Sequence, residues 1–265
     1  TAYLDATGSV SISTNQLNNG STDNCAVDSM WLSRYTFTCS EVGSNSVLLS
    51  VRDVSGNIST CTSIVTILDT IAPVVNCVDT SIFLDANGLF VIDSSFVIGT
   101  ITSGCPVGNI TLSKDSFYCT ELGANQVTLV VSDVHGNSDS CISTVTVLDT
   151  VSPIAICQNA TIYLDQFGQV SIDSSMINNG SYDNCKISTI SLSRDTFDCS
   201  LVGTNVVIMT VTDSMGNSSS CSALVTVLDT VPPVAICQNL TAYLDATGSV
   251  SISTNQLNNG STDNC

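Results

Sequence analysis

Residues 1–25 read TAYLDATGSVSISTNQLNNGSTDNC, and residues 241–265 read the same, letter for letter. A chain that returns to its own beginning after 240 residues is a tandem array, and such self-similarity governs every later inference about fold. The cysteines mark a shorter period inside the long one. Cys25, Cys39, Cys61 and Cys77 recur as Cys105, Cys119, Cys141 and Cys157, then as Cys185, Cys199, Cys221 and Cys237, with Cys265 opening a further set. Each step is 80 residues, without a gap. The 240-residue period is therefore three diverged variants of one unit. The identical ends imply recent duplication of the block, or continued selection on it, and a natural protein much longer than this segment.

Two further signatures keep the same period. Leu-Asp-Thr places Asp69, Asp149 and Asp229 just before prolines at Pro73, Pro153 and Pro233. A D-x-x-G-N turn runs from Asp53 to Asn57, Asp133 to Asn137 and Asp213 to Asn217. Proline cannot donate to a ladder, so boundaries are set at the linkers. The expected domains are 1–70, a repeat lacking its first strand; 71–150 and 151–230, both complete; and 231–265, the start of the next repeat and a copy of the first.

Within a unit the hydrophobic period is two. Val127, Leu129 and Val131 fall on one face, and so do Val145 and Val147, with Thr144 and Thr146 opposite. That is the pattern of half-buried strands. Asn87-Gly88, Gly136-Asn137 and Asn179-Gly180 punctuate them, as hairpin and loop turns do. No stretch carries a helical period with caps. About seven short strands per unit predict an all-β protein of tandem immunoglobulin-like β-sandwich domains in single file. A β-solenoid is the competing architecture, and 80 residues is long for one coil.

Charge narrows the partners. Five basic residues face 23 acidic ones, a net charge of −18. Nucleic acid requires Lys and Arg to neutralise phosphate, and an anionic membrane surface requires them too; neither is expected as a partner. No apolar run approaches the ~20 residues that span a bilayer, so no membrane insertion is expected in this segment. Hydrophobic residues make up 43%, which excludes a disordered acidic tail. Thirteen regularly spaced cysteines without Cys-x-x-Cys pairs read as disulfides and hence as an extracellular location.

The order D-x-x-x-P-x-x-x-C, D-N-C, D-x-x-G-N, C-x-x-x-V-T-V-L-D resembles the hyalin repeat, an immunoglobulin-like extracellular adhesion module. More narrowly it is similar to repeats of giant surface adhesins in gliding and marine Bacteroidota. The resemblance covers every unit, with one departure: Ser103-Gly104-Cys105 stands where the others have Asp-Asn-Cys. Four cysteines per unit allow three pairings. The family pattern implies Cys77–Cys141 and Cys157–Cys221. The remaining cysteines would then pair locally, as Cys25–Cys39, Cys105–Cys119 and Cys185–Cys199, leaving Cys61, Cys237 and Cys265 to find partners elsewhere. A pairing of first with last strand would carry tension straight across each domain.

Sites are few. His135 is the single histidine; it occupies a turn where Ser55 and Met215 stand in the other repeats, and it reads as an exposed turn residue. A triad needs a histidine with its partners, so no enzyme is expected and no cofactor is required. Calcium takes six to eight oxygen ligands, and the candidate ligands are Asp53, Asn57, Asp69, Asp133, Asn137, Asp149, Asp213, Asn217 and Asp229. The competing explanation for these residues is Asx turns. Linker calcium would stiffen the array. Bacteroidota O-glycosylate Ser or Thr after Asp and before a small apolar residue, a resemblance-based expectation for Ser29, Thr70, Thr150, Ser214 and Thr230. Sequons at Asn19, Asn57, Asn109 and Asn159 rank lower. Trp31 is expected in the core. No exposed aromatic or charged cluster is read as recurring in every unit. The expected function is a structural repeat of a long extracellular filament or adhesin stalk at a bacterial cell surface, its partners being neighbouring copies, with glycans as further candidates. Each unit would add roughly 35–40 Å. The alternative is a ligand- or glycan-binding adhesion module acting in surface attachment or gliding.

Overall fold

A computed structural model describes all residues 1–265. It is all-β, a series of immunoglobulin-like sandwiches. The chain forms two compact units, one of residues 1–84 and 89–148, the other of residues 85–88 and 149–265.

The first unit contains a complete repeat of eight strands: Val74–Cys77, Thr80–Phe83, Leu89–Val91, Ile98–Thr102, Val107–Leu112, Ser116–Tyr118, Gly123–Asp133 and Ser138–Leu148. Gly123–Asp133 pairs antiparallel with Ser138–Leu148 and with Val107–Leu112, and Thr80–Phe83 adds parallel to Ser138–Leu148. The opposing layer is two short pairs, Leu89–Val91 with Ser116–Tyr118 and Val74–Cys77 with Ile98–Thr102. The repeat before it uses the same register, with Gly43–Asp53 as its central strand. In the second unit Gly203–Asp213 takes that place.

Alternation decides what is buried. Val127, Leu129 and Val131 are fully buried, as are Val207, Met209 and Val211 at the equivalent positions. Phe37 and Phe117 are 0% exposed, each set by a three-residue strand that turns the ring inward. The same parity corrects the placement of Trp31. Leu32 is buried, so its neighbour in the strand Val27–Leu32 faces outward, and Trp31 is 37% exposed. Helix is confined to single turns such as Thr14–Leu17, where Ser13 and Gln16 form a capping box. It is a local turn motif too short to show a helical period.

The long central strand also sets where the cysteines stand. Cys25 precedes Val27, which pairs with Asp53, whereas Cys39 starts the turn before Gly43, at the strand's other end. Eleven residues of strand separate the two ends by roughly 30 Å. The local pairing Cys25–Cys39 is therefore overturned. Cys39 is joined to Cys105 of the following repeat, Cα to Cα 5.5 Å, and Cys25 is a free, exposed thiol. Cys105–Cys119 falls with it. In the second unit Cys199 is joined to Cys265, Cα to Cα 5.3 Å, which overturns Cys185–Cys199 and the expectation that Cys265 pairs elsewhere. Cys119 and Cys185 are both disulfide-bonded. Cys77–Cys141 and Cys157–Cys221 are disulfides inside their repeats. Cys61 and Cys237 are free and exposed.

Candidate functional site

Three acidic side chains converge in the second unit. A carboxylate oxygen from each of Asp149, Asp183 and Asp213 lies within 4.8 Å of the others. Asp149 and Asp213 are each 3% exposed. The register explains the meeting. Ile187 pairs with Asp213, so the Asp183-Asn184-Cys185 loop that precedes Ile187 lies beside the D-x-x-G-N turn. A bulge at the start of the strand, between Ile187 and Thr189, re-aims the loop as bulges do.

Each carboxylate is held by backbone on one side only. Asp213 Oδ1 accepts from the N–H groups of Met215 and Asn217, both at 2.8 Å. Asp183 Oδ2 accepts from Cys185 and Lys186 N–H at 3.1 and 3.2 Å. Asp149 Oδ1 accepts from Val151 N–H at 3.0 Å and from the Asn184 amide at 3.1 Å. Asn217 donates its amide to both Asp213 Oδ2 (2.7 Å) and the Asp149 carbonyl (3.0 Å), which ties the linker to the turn. What remains is Asp149 Oδ2 and Asp183 Oδ1, both buried and both without a hydrogen-bond partner. Two like unit charges at such a spacing repel by about 3 kcal/mol at an effective dielectric of about 20. Bare buried carboxylate oxygens are costly.

Asp229 repeats part of this arrangement. Asn264 donates at 3.1 Å to Asp229 Oδ1 and at 3.1 Å to the Asp165 carbonyl. Asn184 does the same toward Asp149 and the Asp85 carbonyl, both at 3.1 Å.

The Asp69 position in the first unit differs. Ser103 and Gly104 replace Asp and Asn, and Gly104 packs so closely on the loop at Ala6 and Gly8 that an added Cβ would lie 2.8 Å from Ala6 O. The histidine read as an exposed turn residue is instead only 18% exposed, and its Nδ1 lies 3.0 Å from Asp69 Oδ2. A carboxylate only accepts, so Nδ1 donates. Asp133 in the adjacent turn is buried, which works against its charge, yet hydrogen bonds from Asn137, His135 and Gly136 hold its carboxyl below the usual value.

Among the candidate ligands, the turn asparagines point their amides at their own aspartates: Asn57 to Asp53 at 2.7 Å and Asn137 to Asp133 at 2.9 Å. These are closed Asx-type turns. Asp183 was missed in sequence, although the D-N-C motif that contains it recurs beside a turn of known register. Thr70, Thr150, Ser214 and Thr230 are exposed, and Ser29 is half-buried.

A second feature was also missed. Tyr3, Phe83, Tyr163 and Tyr243 are 58%, 51%, 55% and 84% exposed and recur every 80 residues. Arg34 sits over the Phe37 ring and pairs with Glu41 at 2.8 Å; Lys114 sits over the Phe117 ring and pairs with Glu121. In the next repeat Leu201 replaces the glutamate. There Arg194 lines an open cleft of about 710 Å³ with Tyr163, Asp165, Gln169 and Asp198.

No protein-family profile matches the chain, and no curated protein matches it. Among solved structures it is similar to a protocadherin gammaB7 EC3-6 cis-dimer, at 17% identity and a TM-score of 0.33, covering 81% of this chain and 64% of that one. Drosophila N-cadherin EC1-4 is similar at 12% and 0.33, covering 73% and 61%. The N-terminal four Ig domains of Dscam1 isoform 9.44 are similar at 12% and 0.34, covering 69% and 54%. The chain spans less than two thirds of the length of each.

Proposed function

We propose that the chain is a load-bearing structural repeat of an extracellular filament or adhesin stalk at a bacterial cell surface, with 80-residue domains bounded near residues 70, 150 and 230. The observation that carries this is the disulfide from Cys39 to Cys105. It ties the far end of one repeat to the near end of the next, while Cys77–Cys141 ties the second repeat across itself. The two closed loops interlock in sequence, since Cys77 lies inside the first and Cys105 inside the second. Neither can be drawn out fully while the other is closed. A protein that transforms a small molecule gains nothing from that arrangement; one that transmits tension does. The cysteine usage supports an oxidising location outside the cell, and the motif resemblance supports a bacterial adhesin setting. No helix is long and apolar enough to cross a membrane.

Single-molecule stretching tests the reading. Oxidised chains are expected to lengthen little, and reduced chains to extend by roughly 3.4 Å per released residue. Equal lengthening in both states overturns it.

The Tyr163–Arg194 cleft favours a second reading, a ligand- or glycan-binding adhesion module. An exposed aromatic beside a charged group suits a polar ligand. Binding on a glycan array that is lost in the R194A chain would support this reading. No binding above background would remove it.

A further inference from the structure

We propose that Asp149, Asp183 and Asp213 hold a hard divalent cation of calcium type, and that at Asp69 the imidazole of His135 takes the place such an ion would have.

Three independent observations meet at the Asp149 site. First, the donor set is all carboxylate oxygen, with no thiol or imidazole, which selects calcium-like ions over zinc or copper. Second, the oxygens are close enough to share one ion, within 4.8 Å of each other. Third, Asp149 and Asp183 each keep one buried oxygen with no partner, Asp149 Oδ2 and Asp183 Oδ1, while the other oxygen of each is engaged by backbone N–H. The protein has fixed Asp149 and Asp183 through one oxygen and left the other oxygen of each without a partner, while Asp213 Oδ2 is held by the Asn217 amide. An ion satisfies both oxygens and removes the mutual repulsion of three acids. Asn217 and Asn184 position the group, one through the Asp149 carbonyl and the other through Asp149 Oδ1.

The Asp69 site supplies the contrast. Ser103 and Gly104 take away the loop acid, and Gly104 closes the backbone onto Ala6 and Gly8. His135 then reaches Asp69 Oδ2 from the D-x-x-G-N turn. Asp69 Oδ2 thus has a donor where Asp149 Oδ2 has none. One chain solves the same burial of a linker aspartate in two ways, by a bound ion and by a side chain. This inference does not depend on the load-bearing reading.

The test is calcium titration of the full chain by calorimetry, with melting curves in CaCl2, MgCl2, ZnCl2 and EDTA. The wild-type chain is expected to bind calcium and to melt several degrees higher in CaCl2 than in EDTA, with a smaller shift in MgCl2. Asn at position 183 can still accept from Cys185 and Lys186 N–H, so D183N keeps the turn and removes one charge. It is expected to weaken calcium binding roughly tenfold or more, yet to melt at or above wild type in EDTA. H135S is expected to retain the wild-type affinity. Absence of binding heat together with identical wild-type melts in CaCl2 and EDTA overturns the site. So does a wild-type calcium response in D183N, a larger response to zinc than to calcium, or loss of the response in H135S.

Discussion

Cys39 and Cys105 belong to consecutive repeats, yet their Cα atoms are 5.5 Å apart and Cys105 is buried in the hydrophobic core of the repeat that contains Cys39. The bond is thus part of a packed interface. Leu4, Ile12 and Phe37 share that core, so the sulfur atoms are shielded by the apolar side chains they connect.

Removing this bond should cost more than removing a surface link. C105S opens a loop whose cysteines are 66 residues apart, worth about 4 kcal/mol through the unfolded state. It also buries a hydroxyl. Denaturant unfolding of the oxidised chain should show a loss of about that size, and non-reducing peptide mapping of the wild type should recover Cys39 linked to Cys105 and Cys199 linked to Cys265.

Phe117 is 0% exposed and carries Lys114 over its ring. F117A should destabilise the repeat by about 3–5 kcal/mol, through lost burial and the cavity left behind. K114M, which removes a half-exposed charge, should cost less than about 1 kcal/mol. The same denaturation series ranks them.

Glycines divide by what surrounds them. Gly56 has φ +88° with open space around it, and Gly8 has φ +73° with Gly104 O and Cys39 Sγ in the path of any Cβ. G56A should cost about 1–2 kcal/mol for the left-handed backbone alone. G8A should cost clearly more and should slow closure of the Cys39–Cys105 bond, measured by thiol trapping during refolding.

Acid should weaken the fold through Glu41. Its hydrogen bond with Arg34, then those from the Thr38 N–H and the Thr38 and Ser40 hydroxyls, hold its carboxyl at about 2, against an ordinary 4.5. A group with a depressed folded value stabilises fully above its unfolded value and loses that contribution as pH falls toward the folded one. Stability should therefore decline between about pH 4.5 and 2, and E41Q should flatten part of that decline in unfolding curves taken at pH 6 and pH 3.

The alternation of Val127, Leu129 and Val131 and the D-x-x-G-N turns made the strands and the sandwich legible, because a period of two with turn residues at its ends has few other solutions. The staples within a repeat, Cys77–Cys141 and Cys157–Cys221, followed from the family resemblance, and those between repeats were not legible. Pairing Cys25 with Cys39 assumed that near in sequence means near in space, and an eleven-residue strand lies between the ends they occupy. Asp183 could have been found by setting the D-N-C loop against the hairpin register. His135 could not, because its contact with Asp69 is made across 66 residues and depends on the collapse of the loop at Gly104. The recurrence of Tyr3, Phe83, Tyr163 and Tyr243 is legible at a spacing of 80 residues, the residue type changing only at Phe83.

Because each such staple draws its sulfurs from successive copies, it can close only after the second copy has been made. A polypeptide leaving the cell N-terminus first would expose Cys39 as a thiol until the strand after Cys105 had emerged and folded. The thiol of Cys39 would then stay available to oxidants and to other thiols for as long as the following copy is missing.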